Sequence, residues 1–184
     1  QSGDTFIVTT GVTGSAIGSR FTGSIDVSGS VKAFSFIGDG SYLLNNSDIY
    51  SSVITKNKLI IIVCDNGGFA VINRLQLFKG GKEFNNLLKS SKTPGLVGVD
   101  FAKHAESMGA KSEHVNSISE LGEAFKRAKK SDVTYVISIK THAYQWLEGS
   151  SFWDSPTLEI PTTKENKEAI KLYKEGKSKQ RQGV

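Results

Sequence analysis

The sequence predicts an α/β fold, a three-layer sandwich built on a mostly parallel sheet. Short apolar runs alternate along the chain with amphipathic stretches of helical spacing, which is the pattern of strand–helix–strand units. The run at residues 59–64 is apolar throughout, as expected of a central strand that is buried on both faces. At 184 residues, the chain has the length of one domain with a sizeable core.

Strands and helices are predicted in alternation along most of the chain. The strands are residues 6–9, 32–37, 59–64 and 133–139, and the helices are residues 43–54, 69–78, 100–108, 117–130 and a basic helix near the C-terminus. Asp100 and Ser117 are the expected N-caps of two helices, the second with Glu120 at capping-box spacing. Gly109 is expected to end the helix at 100–108. Residues 79–98, rich in glycine and serine, are predicted as a long loop.

The whole chain, residues 1–184, is interpreted as a single domain with two atypical ends. Residues 1–30 are rich in Gly and Ser, have few large apolar side chains, and should be less well ordered than the rest. Residues 141–184 form a C-terminal extension that contains a turn-rich aromatic segment and the basic helix.

The composition argues against several function classes. The formal net charge is +5, but much of the excess lies in the basic C-terminal helix, where a solvated face is the usual role of lysines. The regular interleaving of aromatic residues that binding of single-stranded nucleic acid would require is absent from this helix, which has the single aromatic residue Tyr173. No apolar run approaches the roughly 20 residues that span a bilayer, and no secretion signal is recognisable at the N-terminus. We therefore expect a cytoplasmic protein that binds neither nucleic acid nor membranes.

Two short polar segments, each directly after a predicted strand, carry the candidate chemistry. Residues 38–41 read Gly-Asp-Gly-Ser, and residues 65–68 read Asp-Asn-Gly-Gly. Ligands of an open parallel sheet collect at the carboxyl ends of its strands, so both segments should face the same crevice. The first segment also precedes a helix, whose N-terminal amides can hold phosphate.

The residue types in these segments suit a magnesium ion and a diphosphate. Mg²⁺ prefers hard oxygen ligands, usually one or two protein carboxylates with phosphate oxygens and water. Asp39 offers a carboxylate oxygen, Asn66 an amide oxygen, and Gly68 a carbonyl that glycine can turn inward. The alternative is a pair of unrelated turns, because such sequences are common in turns.

Together, the two segments resemble the signature of thiamine diphosphate-dependent enzymes, which runs from a Gly-Asp-Gly to a distant Asn. Asp39 and Asn66 are 27 positions apart, the offset typical of that signature. The resemblance implies the thiamine diphosphate-binding fold, with Asp39, Asn66 and Gly68 as Mg²⁺ ligands. It implies no metal-binding role for Asp65, which stands where these enzymes usually have another Asn. The cofactor-binding residues that it implies are Gly38, Gly40, Ser41, Gly67 and Phe69.

Further motifs narrow the resemblance within that superfamily. Residues 99–110 look like the segment that follows the cofactor loop in acetolactate-synthase-like enzymes. Trp146, residues 151–154 and a basic helix ending at residues 179–181 resemble the C-terminus of the trihydroxycyclohexane-1,2-dione hydrolases of myo-inositol breakdown. This implies a hydrolase that cleaves a carbon–carbon bond in a cyclic 1,2-diketone. The alternative within enzymes is an acetolactate-synthase-like carboligase or decarboxylase.

The resemblance also implies a partner. Enzymes of this superfamily need a pyrimidine-binding domain, which carries the glutamate that activates the cofactor, and this chain has no segment that matches it. We therefore expect the catalytic glutamate outside this chain, on a domain of the same or a second subunit, within a homodimer or homotetramer that acts on a small-molecule substrate. The chain alone should be inactive. A non-catalytic half-enzyme that needs a separate partner is a second alternative.

Three further side chains are of types that can take part in catalysis or metal binding. His104 lies in a predicted helix and is interpreted as a surface or satisfied core residue. His142 follows a predicted strand, at the edge where ligands collect, and so is a weaker candidate for substrate contact. Cys64, the only cysteine, excludes an intramolecular disulfide and is interpreted as a small apolar residue.

Overall fold

The computed structural model describes residues 33–145, apart from residues 94 and 96, and residues 158–179. In this part of the chain, the strands form a four-stranded sheet in the order β1-β2-β4-β3, with every pair parallel. The strands are β1 (Ala33–Gly38), β2 (Leu59–Asp65), β3 (Lys111–Val115) and β4 (Tyr135–Lys140). The predicted parallel α/β class is confirmed.

Helices connect the strands and cover both faces of the sheet. They are α1 (Asp39–Leu44), α2 (Ser47–Ile54), α3 (Ala70–Phe78), α4 (Phe101–Ser107), α5 (Ile118–Lys130) and α6 (Lys164–Ser178), with a short 3₁₀ helix at Leu88–Ser90. None of the helices in the described residues is long and apolar enough to cross a membrane.

Two apolar clusters lie on opposite faces of the sheet. Alternate residues of β2 enter different clusters: Ile61 and Val63 pack with residues of α1, α2 and α4, whereas Ile60 and Ile62 pack with residues of α5. This is why β2 is apolar from Leu59 to Cys64, since a central strand of a parallel sheet has no solvent-facing side. Helices on both faces of the sheet make the three layers.

The signals predicted at the ends of α4 and at the start of α5 agree with the structure. Asp100 caps α4, with its Oδ1 accepting a hydrogen bond from the Lys103 amide at 3.1 Å, and Gly109 follows α4 with a φ of +85°. Ser117 caps α5 by accepting from the Glu120 amide at 3.1 Å. The reciprocal bond of the capping box is displaced by one residue, because the Glu120 carboxylate accepts from the amide of Asn116.

The structure corrects the predicted elements at two places. The helix predicted at 43–54 is two helices: α1 begins at Asp39 and ends at Leu44, and α2 begins at Ser47 after a two-residue turn. Strand β3 was not predicted, because four of its five residues, Lys-Ser-Glu-His, are polar. It is an edge strand of the sheet and pairs with β4. The strand predicted at 6–9 and the aromatic segment at residues 146–157 lie outside the described residues.

Candidate cofactor and metal site

The register of the sheet brings the two predicted segments together. Gly38 at the end of β1 pairs with Cys64 of β2, so Asp39, directly after β1, lies at the same edge of the sheet as Asp65, the last residue of β2. On the other side of β2, Asp65 pairs with Lys140 at the end of β4. The site is therefore built on three adjacent carboxyl ends, which is where an open parallel sheet binds its ligands.

The Asp39 carboxylate is one of two buried carboxylates at the site, with that of Asp65. Asp39 is the first residue of α1 and only 3% exposed, and its Oδ2 accepts a hydrogen bond from the Gly68 amide at 2.6 Å. Burial raises the pKa of Asp39, amide hydrogen bonds from Gly68 and Gly40 oppose that effect, and the negative charge of Asp65 raises the pKa further. A cation beside Asp39 would offset both the cost of burying the ionised carboxylate and the repulsion from Asp65.

The turn at Gly67 and Gly68 requires glycine. Their φ angles are +84° and +141°, which L-residues with side chains rarely adopt. A Cβ at Gly68 would lie 2.4 Å from the carbonyl oxygen of Asn86, so there is also no room for a side chain. The segment around Asn86 fixes the turn, because the Leu88 amide donates to the Gly67 carbonyl at 2.9 Å.

Phe69 lies close to the first segment. A Cβ on Gly40 would lie 2.6 Å from the Phe69 ring, so the side of Gly40 that faces Phe69 is filled by this ring. Phe69 is 43% exposed, and its amide donates to the Asn86 carbonyl at 2.7 Å. The close approach at Gly40 is thus made by the residue that directly follows the second segment, an aromatic contact that the sequence pattern did not predict.

An open pocket of about 230 Å³ lies over these strand ends. Five of the eight predicted site residues line it: Asp39, Gly40, Gly67, Gly68 and Phe69. The other three predicted residues, Gly38, Ser41 and Asn66, belong to the same two segments and are half-buried.

The pocket also has residues that sequence reasoning did not assign to the site. Lys140 and Asp65 line it, as do residues of the loop after α3, including Leu87, Leu88 and Val99. Lys140 had a weak signal, since it directly follows a predicted strand. The loop had none, because its position over the pocket depends on its hydrogen bonds to the Gly67 and Gly68 turn.

The donors at this site fit Mg²⁺ and a diphosphate. No group of three or more His, Cys, Asp or Glu side chains that could hold a metal occurs within the described residues. The predicted ligands are instead one buried carboxylate, an amide side chain and a glycine carbonyl, which are hard oxygen donors that leave positions for phosphate oxygens and water. The buried Asp39 carboxylate supplies the negative charge that a divalent cation needs.

Two of the other side chains singled out from the sequence, His104 and Cys64, have structural roles in the described part of the chain. The Nδ1 atom of His104 is hydrogen-bonded to the Tyr42 hydroxyl at 2.9 Å, and burial raises the pKa of Tyr42 to about 12. Burial also raises the pKa of the Cys64 thiol, in agreement with an unreactive core residue. His142 follows β4, and its Nδ1 accepts from the Tyr144 amide at 3.1 Å. The substrate contact considered for His142 stays a prediction.

Comparison with known sequences gives consistent matches. The family described as "Thiamine pyrophosphate enzyme, C-terminal TPP binding domain" matches residues 4–139. A 3D-(3,5/4)-trihydroxycyclohexane-1,2-dione hydrolase of Bacillus licheniformis is 32% identical over 144 residues, which are 78% of this chain and 22% of that protein. The enzyme of the same name from Clostridium perfringens is 35% identical over 127 residues, 66% of this chain and 20% of that protein. The chain thus spans about a fifth of the length of these relatives.

Solved structures agree with the fold. The benzoylformate decarboxylase of Polynucleobacter necessarius superposes with a TM-score of 0.51 at 24% sequence identity, over 62% of this chain and 20% of that one. At this level of identity the similarity supports the fold and not the substrate.

Proposed function

Because the chain belongs to the family of C-terminal thiamine pyrophosphate-binding domains of thiamine pyrophosphate enzymes, we propose that it holds the diphosphate of this cofactor through Mg²⁺ in a C–C hydrolase. The substrate we propose is a trihydroxycyclohexane-1,2-dione, the cyclic diketone in the names of the relatives. The observation that carries the proposal is the buried Asp39 carboxylate, held against the Gly67 and Gly68 turn at the end of two adjacent strands.

The role of this chain is to position the cofactor. Asp39, Asn66 and the Gly68 carbonyl are the proposed Mg²⁺ ligands, and the diphosphate supplies further oxygens. The cofactor itself supplies the chemistry, since it stabilises the negative charge that forms when a bond next to a carbonyl breaks. The proposed cofactor contacts are Gly38, Gly40, Ser41, Gly67 and Phe69.

The proposed complete enzyme includes a pyrimidine-binding domain on the same or a second subunit. No carboxylate in this chain is assigned to activating the cofactor, and a general acid or base must lie within about 2.6–3.2 Å of the proton that it transfers. We place the activating glutamate on that partner domain, in a homodimer or homotetramer. The cytoplasm and myo-inositol breakdown are the proposed setting.

The test is reconstitution of the reaction from two parts. The chain would be mixed with Mg²⁺, thiamine diphosphate and the Bacillus licheniformis hydrolase from which the matching domain has been removed, and loss of the cyclic diketone would be followed. We expect turnover with both parts and none with either part alone. Turnover by the chain alone would contradict the proposed division of roles.

Pyruvate serves as the competing substrate in the same assay. Consumption of pyruvate without opening of the diketone would replace the hydrolase proposal with the carboligase or decarboxylase alternative. A chain variant with Asp48→Asn, an exposed carboxylate on α2, is the matched control that should retain turnover.

A further inference from the structure

Lys140 and Asp65 form an ion pair at the proposed cofactor site. Lys140 is the last residue of β4 and pairs in register with Asp65, the last residue of β2. The Nζ atom of Lys140 donates to Oδ2 of Asp65. The side chain of Asp65 is 6% exposed whereas that of Lys140 is 68% exposed, so a buried carboxylate is neutralised from the solvent side.

Asp65 also holds the turn that carries the proposed metal ligands. Its Oδ1 accepts from the Gly67 amide at 3.1 Å, and its backbone carbonyl accepts from the Thr141 amide at 2.8 Å. The two oxygens of the carboxylate therefore have different partners, Lys140 on one side and the turn on the other. Rotation of the Asp65 carboxylate would break both contacts at once.

The charge of Asp65 needs a partner because a second carboxylate is near. Asp39 and Asp65 are close enough that the negative charge of Asp65 raises the pKa of Asp39. The ligand proposed for this pocket is an anionic diphosphate, which an unpaired Asp65 would repel. Among the described residues that line the pocket, Lys140 is the one with a basic side chain.

We propose that Lys140 is a positioning residue that neutralises Asp65 and holds its carboxylate against the Gly67 amide, so that Asp39 alone presents a carboxylate to the metal. This inference rests on the proposed function, because it concerns the metal and the diphosphate of that site. It predicts that the effect of Lys140 on ligand binding passes through Asp65. A lysine that contacted the diphosphate directly would act without Asp65.

The experiment compares four variants with the unaltered chain: Lys140→Gln, Lys140→Arg, Asp65→Asn and the double change Lys140→Gln with Asp65→Asn. Binding of thiamine diphosphate with Mg²⁺ at millimolar concentrations is followed by the amide NMR signals of the glycines in the two segments. Lys111→Gln is the matched control, since Lys111 is also partly exposed and pairs with Asp132 at 3.1 Å. Lys111 begins β3, so this ion pair lies at the amino ends of the strands, away from the pocket.

We expect Lys140→Gln to weaken binding about tenfold, and the double change to return it to within about threefold of the unaltered chain. Lys140→Arg should retain binding, and Lys111→Gln should leave it unchanged. With Asp65 unpaired, Lys140→Gln should also raise the preference for Ca²⁺ over Mg²⁺, because Ca²⁺ accepts more carboxylate ligands in looser geometry. A purely structural defect would not change that preference.

Two results would overturn the inference. Equal binding by Lys140→Gln and the unaltered chain would remove any role of Lys140. Equally weak binding by Lys140→Gln and the double variant would assign Lys140 to direct contact with the diphosphate.

A measurement without ligand separates this inference from the proposed function. Hydrogen exchange of the Gly67 amide should accelerate in Lys140→Gln and not in Lys140→Arg. Unchanged exchange would contradict the positioning role whether or not the cofactor binds. If the unaltered chain showed no binding even when combined with a pyrimidine-binding domain, the proposed function would fail for this chain, and the exchange rates alone would decide the role of Lys140.

Discussion

At the residue scale, the site depends on a carboxylate that opposes folding when it is ionised. Burial raises the pKa of Asp39, so its carboxyl binds protons more tightly in the folded than in the unfolded chain. Stability therefore decreases as the pH rises from the ordinary range of an aspartate through the raised pKa, and the loss is complete above that raised pKa. A bound cation would recover part of it, which links metal binding to stability.

Gly68 provides a prediction about the turn. Gly68→Ala should lower the free energy of unfolding by at least about 1 kcal/mol, because the φ of +141° disfavours a side chain and the new Cβ would meet the Asn86 carbonyl at 2.4 Å. Thermal or urea unfolding would measure the change. Gly122→Ala is the control, since Gly122 lies in α5 with nothing within 4 Å of a new Cβ and should gain stability. Equal stability of Gly68→Ala and the unaltered chain would show that the turn relaxes freely.

Residue-scale prediction from sequence was possible where the signal was local. Asp39 and Gly68 could be singled out because each lies in a short motif that directly follows a strand. Lys140 could not, because a single lysine after a strand resembles any solvated charge. Its partner, Asp65, is 75 positions away, and only the register between β2 and β4 brings them together.

At the scale of elements, the polar edge strand and the short first helix depend on tertiary contacts. In β3, Glu113 accepts hydrogen bonds from Arg127 of α5 and from the Tyr135 hydroxyl of β4. In α1, Tyr42 packs edge-on against Phe101 of α4 with ring centroids 5.2 Å apart. The spacing of apolar residues in the sequence does not reveal such contacts. This is why β3 was not predicted and why the first helix was predicted to begin at residue 43 instead of Asp39. The long elements, β2 and α5, had clear apolar patterns and were predicted.

The N-cap of α5 gives a prediction at this scale. Ser117→Ala should reduce stability by about 1 kcal/mol, since the Ser117 side chain satisfies the Glu120 amide at the start of the helix. Ser119→Ala, at an exposed position in the first turn of the same helix, is the matched control and should be neutral or slightly stabilising. Urea unfolding of both variants would decide it. A larger loss for Ser119→Ala would contradict the assignment of Ser117 as the cap.

At the scale of the whole molecule, three strand ends and the loop after α3 line one pocket. The pocket is open, and apolar side chains at its edge are exposed, with Leu43 at 44% and Val97 at 83%. Exposed apolar groups beside a polar site are typical of a surface that another domain covers. We therefore expect thiamine diphosphate to bind the chain alone weakly or undetectably, because the proposed partner domain would supply the contacts to the rest of the cofactor.

The central claim is that this chain supplies the magnesium site for the cofactor diphosphate, and Asp39 tests it most directly. Calorimetry would measure thiamine diphosphate binding, at fixed Mg²⁺, to the chain combined with a pyrimidine-binding domain. Asp39→Asn is expected to weaken Mg²⁺-dependent binding by on the order of tenfold or more, because it removes the carboxylate ligand. The variant should fold at least as well as the unaltered chain, since it removes a buried charge. Asp48→Asn should bind normally. Unchanged Mg²⁺-dependent affinity in a folded Asp39→Asn protein would contradict the account.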